Sequence, residues 1–295
     1  MWAFLFMATD IVYLNGNFLP ASEAKISVFD RGFLFGDSVY EVIPFYHGVG
    51  FRLSEHLDRL HYSLHELGIT PPDGLEPILT ELVAQNGGGH QSVYLQVTRG
   101  AGERRSHTIE PGLMPTVFAC TQPIRDIYDE GASQVDGIKV IVTEDLRWKR
   151  CDIKANGLLA NILVIQKAKA ANAAEALLIH EGELTEGASS NFFIVESGVI
   201  KTPPLETGIL SGTTRSLVLM LAERNGVPYE ECRIDYARLT NADEVWISSS
   251  TRGVMPVLTV DEHAIGDGQK GPIWAQFFEW FIEHQAQTMQ ALKPE

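Results

Sequence analysis

Pro123-Ile124-Arg125-Asp126-Ile127-Tyr128-Asp129-Glu130-Gly131 is polar, mixed in charge and bounded by a proline and a glycine. Such a stretch carries neither an apolar stripe nor a strand alternation and reads as a linker. It separates two patterns. Before it, Ile11 to Leu19 carries Asn15-Gly16 between apolar flanks, a hairpin signal. Val39 to Tyr46, Val93 to Thr98 and Thr116 to Cys120 are rich in β-branched and aromatic residues and read as strands. Pro44 has no N–H to donate, which predicts an edge strand or a bulge at that point. One helix interrupts this half, with Leu53, Leu57, Leu60, Leu64 and Leu67 on a single apolar stripe. After the linker, strands at Ile138 to Val142, Ala176 to Ile179, Phe192 to Val195 and Glu244 to Ile247 are interspersed with helices. The helices cover Leu158 to Ala171, Ser216 to Asn225 and Ile273 to Leu292. The two patterns predict an α+β chain of two domains, a smaller one at 1–122 and a larger one at 132–295, joined by the linker 123–131.

Composition narrows the function. The chain has 295 residues, 45% of them hydrophobic, enough for a sizeable core, and a formal net charge of −15. That charge argues against nucleic acid and against anionic membrane surfaces, both of which select basic patches. Cys120, Cys151 and Cys232 are too few and scattered for a disulfide framework, so a cytoplasmic protein is expected. None forms a metal-ligand pair. The opening Met1 to Met7 lacks a basic flank and reads as an extension before Met7, not a signal peptide. No apolar run reaches membrane-spanning length.

Three segments carry candidate chemistry. In Leu210-Ser211-Gly212-Thr213-Thr214-Arg215 a glycine and two hydroxyl residues precede an amphipathic stretch. A helix start of this kind presents backbone N–H groups and a positive dipole end to a phosphate, although Ser and Thr are also ordinary caps. Ser248-Ser249-Ser250-Thr251, after the strand ending at Ile247, is a second hydroxyl-rich loop that could share the same anion. In Thr185-Glu186-Gly187-Ala188-Ser189-Ser190-Asn191 a carboxylate is followed by small residues, so Glu186 is either a ligand for a cationic ring nitrogen or a solvated hairpin acid. In Arg150-Cys151-Asp152-Ile153-Lys154 the lysine is a candidate Schiff-base former, set against the many lysines that are only surface charges. His61 and His65 share a helix face at zinc-binding spacing, but no acid lies between them and no third ligand follows, so they and His56 read as exposed helix histidines. No metal site is expected. Nucleophile-elbow, Walker and Rossmann patterns are absent from the sequence.

Taken together, these segments resemble the fold-type IV pyridoxal-phosphate enzymes, and among them the D-amino-acid aminotransferases. The matching stretches are Asp30 to Asp37, Val39-Tyr40-Glu41-Val42, Glu55 to Leu60, Gln96 to Gly100, Asp145-Leu146-Arg147-Trp148, Arg150 to Lys154, Thr185 to Gly187, Ser189 to Asn191 and Gly212 to Arg215. They run in family order over Ile11 to Phe281. The resemblance implies pyridoxal 5'-phosphate held between the two domains, with Lys154 as Schiff-base lysine and as proton shuttle between the substrate's α-carbon and C4′. It implies Glu186 on the pyridine nitrogen, Leu210 against the ring, and Arg59, Gly212, Thr213, Thr214, Ser249 and Ser250 around the phosphate. Helical periodicity alone puts Arg59 on the polar side of its helix.

The substrate carboxylate would meet Tyr40 and an Arg-x-His pair from a partner subunit, which makes the expected protein a homodimer with shared active sites. Here the pair is Arg105-Ser106-His107. The loop is one residue longer than the family pattern, so Arg104 competes with Arg105, which is preferred for its spacing to His107. The implied reaction is transfer of an amino group between a D-amino acid, such as D-alanine or D-glutamate, and a 2-oxo acid such as 2-oxoglutarate. Branched-chain L-amino-acid or (R)-amine transamination and aminodeoxychorismate lysis are the alternatives on the same fold, and a pyridoxal-phosphate carrier or a non-catalytic homologue is the alternative of a different functional class.

Overall fold

The computed structural model of the protein describes residues 10–125 and 131–291. The opening extension, the centre of the linker at 126–130 and Leu292 lie outside the described residues. Contacts divide the chain into two compact units. The first holds 10–125 together with 153–157, and the second holds 131–152 and 158–290. The short return of 153–157 places Lys154 on the first unit, whereas the linear reading puts it in the second.

The first unit begins with the hairpin β1 (Ile11–Leu14) and β2 (Asn17–Pro20), turning through Asn15 at φ 47° and Gly16 at φ 94°. Both angles are left-handed, the conformation that Asn-Gly tolerates best. The chain continues through α1 (Arg31–Phe35), β3 (Ser38–Tyr46), β4 (Val49–Gly50), α2 (Leu53–Leu67), α3 (Leu75–Gln85), β5 (Gln91–Thr98) and β6 (Thr116–Pro123). The strands form one sheet in the order β2-β1-β6-β5-β3-β4. Val39, Ile43, Val93, Leu95 and Val97 pack with Leu60 and Leu64 of α2 and Leu79 and Leu82 of α3. The leucine stripe at 53–67 therefore does what its spacing predicts. The helices α1 and α3 go beyond the sequence expectation. The spacing of Leu75, Leu79, Leu82 and Val83, all buried, carries the signal for α3. The linker's first residue, Pro123, still pairs with Gln91 and belongs to β6.

β3 is an inner strand of the sheet, but Pro44 turns its nitrogen to the edge facing away from β5, which the short β4 covers only at Phe45 and Tyr46, so no ladder donor is lost. The N–H of Tyr40 points away from β5 and donates to the Lys154 carbonyl at 3.0 Å, and the Ser38 carbonyl accepts from Asn156 N–H at 3.3 Å. Pro44 shares their parity, so its nitrogen faces the same side, where its carbonyl accepts from Phe51 N–H at 2.8 Å. The segment 153–157 docks on this edge.

The opposite parity of β3 buries Glu41, which is fully enclosed. Arg59 donates to both its oxygens, through Nε and Nη2 at 2.7 Å each, and His56 Nδ1 lies 2.7 Å from Oε2. Burial would push the Glu41 carboxyl up, but Arg59 and His56 outweigh it and hold it down at about 2. Burial lowers His56, so it sits neutral and donates from Nδ1. His56 is thus not exposed: it faces β3 one turn before Leu60, while His61 and His65 do point to solvent. Arg59 is likewise 9% exposed rather than on a solvated face, because a buried carboxylate opposite it outweighs the helix's own pattern.

A folded-state carboxyl held below its unfolded value of 4.5 gives stability that is present above that value and lost as pH falls towards 2. We expect unfolding free energy to drop by about 2 kcal/mol between pH 5 and pH 3 from this group alone. In denaturant titrations Glu41→Gln should start lower at pH 7 and lack that component of the acid slope. An unchanged slope would remove Glu41 as its source.

The second unit comprises β7 (Ile138–Glu144), α4 (Leu159–Ala170), β8 (Glu175–His180), β9 (Glu183–Gly187), β10 (Asn191–Glu196), β11 (Val199–Thr202), α5 (Thr213–Arg224), β12 (Tyr229–Glu231), α6 (Tyr236–Asn241), β13 (Glu244–Ser249), β14 (Gly253–Val260), β15 (His263–Ala264) and α7 (Pro272–Ala291). Its mixed sheet runs β12-β11-β10-β13-β14-β7-β8-β9, with β15 on β14. Phe192, Ile194, Val245 and Ile247 pack with Leu239 of α6 on one face, while on the other Phe193 packs on Trp246, which meets Phe277 of α7. The alternation of buried residues on both faces explains why β10 and β13 read so clearly as strands. Two shifted boundaries bear on the hydroxyl-rich segments. β13 extends through Ser249, so only Ser250 and Thr251 of the hydroxyl run form the turn, and α5 starts at Thr213, three residues before Ser216.

Candidate active site

In the first unit Lys154 sits on a fixed mount. Ile153 is buried in the core, Lys154 N–H donates to Ser63 Oγ at 3.1 Å, and Ala155 N–H closes a tight turn on the Ile153 carbonyl at 2.8 Å. With the Tyr40 bond this fixes the backbone on both sides, so only the side chain can move. The amine rests 4.2 Å from the centre of the Tyr40 ring, which stacks on Tyr94. Tyr40 and Lys154, separated by more than a hundred residues, thus meet on the face of β3 opposite Glu41. Arg105 and His107 lie in the loop between β5 and β6, where both contact Phe35: the Arg105 guanidinium carbon is 5.0 Å and the His107 ring 5.4 Å from its ring centre.

In the second unit Glu186 lies within β9 and is 4% exposed, so the solvated-hairpin reading fails for it. Three donors converge on its carboxylate. Arg147 Nη1 bonds Oε1, and Oε2 accepts from Asn191 Nδ2 and from the Leu210 N–H, both at 3.1 Å. Arg147 also forks onto Asp145, with Nε on Oδ1 at 2.9 Å and Nη2 on Oδ2 at 2.7 Å. Burial pushes the Asp145 carboxyl up, but the Arg147 bonds bring it below the usual carboxylate range. Burial raises the neighbouring Cys151 thiol to about 11 although Arg147 pulls the other way, so it stays protonated and donates to the Trp148 carbonyl at 3.0 Å.

The Leu210 amide that binds Glu186 lies two residues before the N-cap of α5. That cap, Gly212, offers no side-chain acceptor, and Thr213 and Thr214 are buried at the helix start. Thr213 Oγ1 lies 3.4 Å from Ser250 Oγ, so the two hydroxyl segments meet. Ser249, last in β13, accepts from Arg252 Nε at 3.3 Å. A Cβ on Gly212 would collide with Asn191 Oδ1, which ties this cradle to the Glu186 carboxylate.

Sequence reading assigns no role to Arg147, although Asp145-Leu146-Arg147 is one of the matching stretches. It also misses Glu41 and His56. Nothing in the local pattern of β3 says that position 41 opposes position 59. Among the described residues no group of three or more His, Cys, Asp or Glu could hold a metal ion, and no helix is long and apolar enough to cross a membrane.

The model of the family Amino-transferase class IV matches residues 38–260. A D-alanine aminotransferase of Bacillus licheniformis is 45% identical over 265 residues, 89% of this chain and 92% of that protein. One from Listeria monocytogenes is 40% identical over 276 residues, 92% of this chain and 95% of that protein. Among solved structures, the branched-chain aminotransferase of Thermoproteus uzoniensis superposes with a TM-score of 0.84 at 28% identity, over 94% of this chain and 96% of that one. The branched-chain amino acid aminotransferase of Escherichia coli gives 0.85 at 26%, over 94% of this chain and 95% of that one.

Proposed function

The chain belongs to the class IV aminotransferases, and we propose that it binds pyridoxal 5'-phosphate and exchanges amino groups between D-amino acids and 2-oxo acids. The observation that carries the cofactor reading is Glu186. It is a buried carboxylate, and one of its donors is the backbone just ahead of an uncapped helix start lined with hydroxyls. A ring nitrogen and a phosphate are the two ends such a pair of sites fits. Arg147 and Asn191 hold the Glu186 carboxylate aimed, so that it would pair with a proton on the ring nitrogen. Thr213, Thr214, Ser250 and the amides after Gly212 would take the phosphate, with Ser249 beside them and Arg59 from α2 supplying positive charge. Leu210 would pack on the ring. The bound cofactor supplies an electron sink for negative charge at the substrate's α-carbon. Lys154 Nζ then takes the α-proton and returns one in the opposite half of the exchange. Tyr40, Arg105 and His107 would orient the substrate, with Arg105 gripping its carboxylate.

Gly212→Ala tests the cradle. Its backbone angles suit alanine, so the effect should come through displaced Asn191. Cofactor retention should weaken about tenfold, the worth of one hydrogen bond to a charged group at ~1.5 kcal/mol, read by absorbance after dialysis. Full retention would detach Asn191 from the site.

The D-amino-acid reading rests on the Arg105–His107 pair and on the D-alanine aminotransferase relatives, against the branched-chain enzymes among the structural neighbours. Purified enzyme offered D-alanine, L-leucine and (R)-1-phenylethylamine with 2-oxoglutarate should convert D-alanine. Conversion of L-leucine alone would overturn the specificity and leave the cofactor reading standing.

A homodimer is supported by apolar residues left at the surface of each unit. Phe33 and Met114 are 67% and 80% exposed in the first, and Leu159, Ile162 and Leu163 form an exposed stripe on α4 in the second. Cys120, Cys151 and Cys232 are free, which supports a cytoplasmic setting.

A further inference from the structure

We propose that Phe35 and Arg31, on the short helix α1, position the Arg105–His107 pair and thereby set how tightly the substrate carboxylate is held. The proposal rests on the carboxylate role given to that pair above. Helix α1 grips the loop at three places. At the loop's start, Arg31 N–H donates to the Gly100 carbonyl at 2.9 Å. At the loop's end, the buried Asp30 carboxylate accepts from Thr116 Oγ1 at 2.7 Å and from Thr98 Oγ1 at 2.9 Å. In the loop's middle, Arg31 Nη1 donates to the Ser106 carbonyl at 2.7 Å. Ser106 is the residue between Arg105 and His107, so one guanidinium fixes the backbone from which both side chains leave.

Arg31 is itself braced. Its Nε bonds Asp37 Oδ2 at 2.7 Å, and Asp37 also binds Arg99, which donates to the Leu67 and Gly68 carbonyls at the end of α2. Burial would raise the Asp37 carboxyl, but Arg99 and Arg31 hold it below the usual range, so the brace stays charged at neutral pH. Phe35 supplies the other half. The Arg105 guanidinium lies 5.0 Å from its ring centre, and the His107 ring packs against it at 5.4 Å and 50°. An exposed arginine ordinarily gives up much rotamer freedom when it binds a carboxylate. Stacking on an aromatic face meets part of that cost before the substrate arrives. Arg31 and Phe35 act through the pair and not on the substrate. They are positioning residues.

The test is a double-mutant cycle on the full holoenzyme, with Phe35→Leu, Arg105→Gln and the double variant assayed for KM and kcat with D-alanine and 2-oxoglutarate. Phe35→Leu should raise both KM values about tenfold, equivalent to ~1.4 kcal/mol, with a smaller change in kcat, and Phe35→Tyr should restore them. In the Arg105→Gln background, Phe35→Leu should add nothing, because the residue it positions is gone. If Phe35→Leu does not fold, Arg31→Lys, which keeps a charge for Asp37 but not the reach to Ser106, is read in the same way. An unchanged KM in Phe35→Leu beside a raised one in Arg105→Gln overturns the positioning role alone. So does an undiminished Phe35→Leu effect in the double variant. An unchanged KM in Arg105→Gln removes the carboxylate role itself, and the proposal with it.

Discussion

Lys154→Ala enzyme should fold as the parent does and lose transamination by roughly 10⁴-fold, the upper range for removing a proton-transferring group. Both halves follow from how the segment is held. Its docking uses the backbone of Lys154 and Asn156 and the buried Ile153 side chain, none of which the substitution touches. The amine contributes one contact with the Tyr40 ring, worth about 0.5–1 kcal/mol at a partly exposed site. Melting temperature and circular dichroism should therefore move little while the rate collapses. A variant retaining a tenth of the rate would remove Lys154 from the proton transfer.

Glu186→Gln should carry the second largest effect. The substitution keeps the shape but withdraws a negative charge from a buried position and turns an amide N–H₂ towards donors. Arg147 still has its fork on Asp145, so the guanidinium is not left without an anion and the chain should fold. Stability should fall by about 1–3 kcal/mol, the cost of mismatched buried hydrogen bonds. Activity should fall by roughly 10²–10³-fold, the range for losing one preorganised electrostatic contact. The visible absorption of the bound cofactor should respond to pH differently from the parent's. Unchanged activity and an unchanged spectrum would separate Glu186 from the ring nitrogen.

Much of the fold is legible because period and breakers agree locally. The Asn15-Gly16 turn, the leucine stripe of α2 and the apolar runs of β8, β10 and β13 each specify an element without help from the rest of the chain. Less legible are elements defined by partners. β9 carries Thr185 and Glu186, which look like turn residues until β8 supplies the pairing and Arg147 and Asn191 the hydrogen bonds. α1 has five residues, too few for a period, and is held by the Asp30 cap and the αL glycine Gly36. The return of 153–157 to the first unit has no local signature, because the edge it completes is made a hundred residues earlier.

The site divides along the same line. Lys154 and Glu186 are chemically plausible by type, but so are many lysines and glutamates, and it is their family context that singles them out. Burial then supplies the physical reason for Glu186, with three donors and 4% exposure. The Glu41–His56–Arg59 cluster is invisible in the sequence. Its members are adjacent only across a helix–sheet packing that pairs position 41 with positions 56 and 59, and a polar helix face gives no hint of a buried acid opposite.

Reduction of the native holoenzyme with borohydride, followed by proteolysis and mass spectrometry, locates the lysine that carries the cofactor. A single pyridoxyl group on the peptide containing Lys154 is the predicted result. A pyridoxyl group on any other lysine, with Lys154 unmodified, would contradict it.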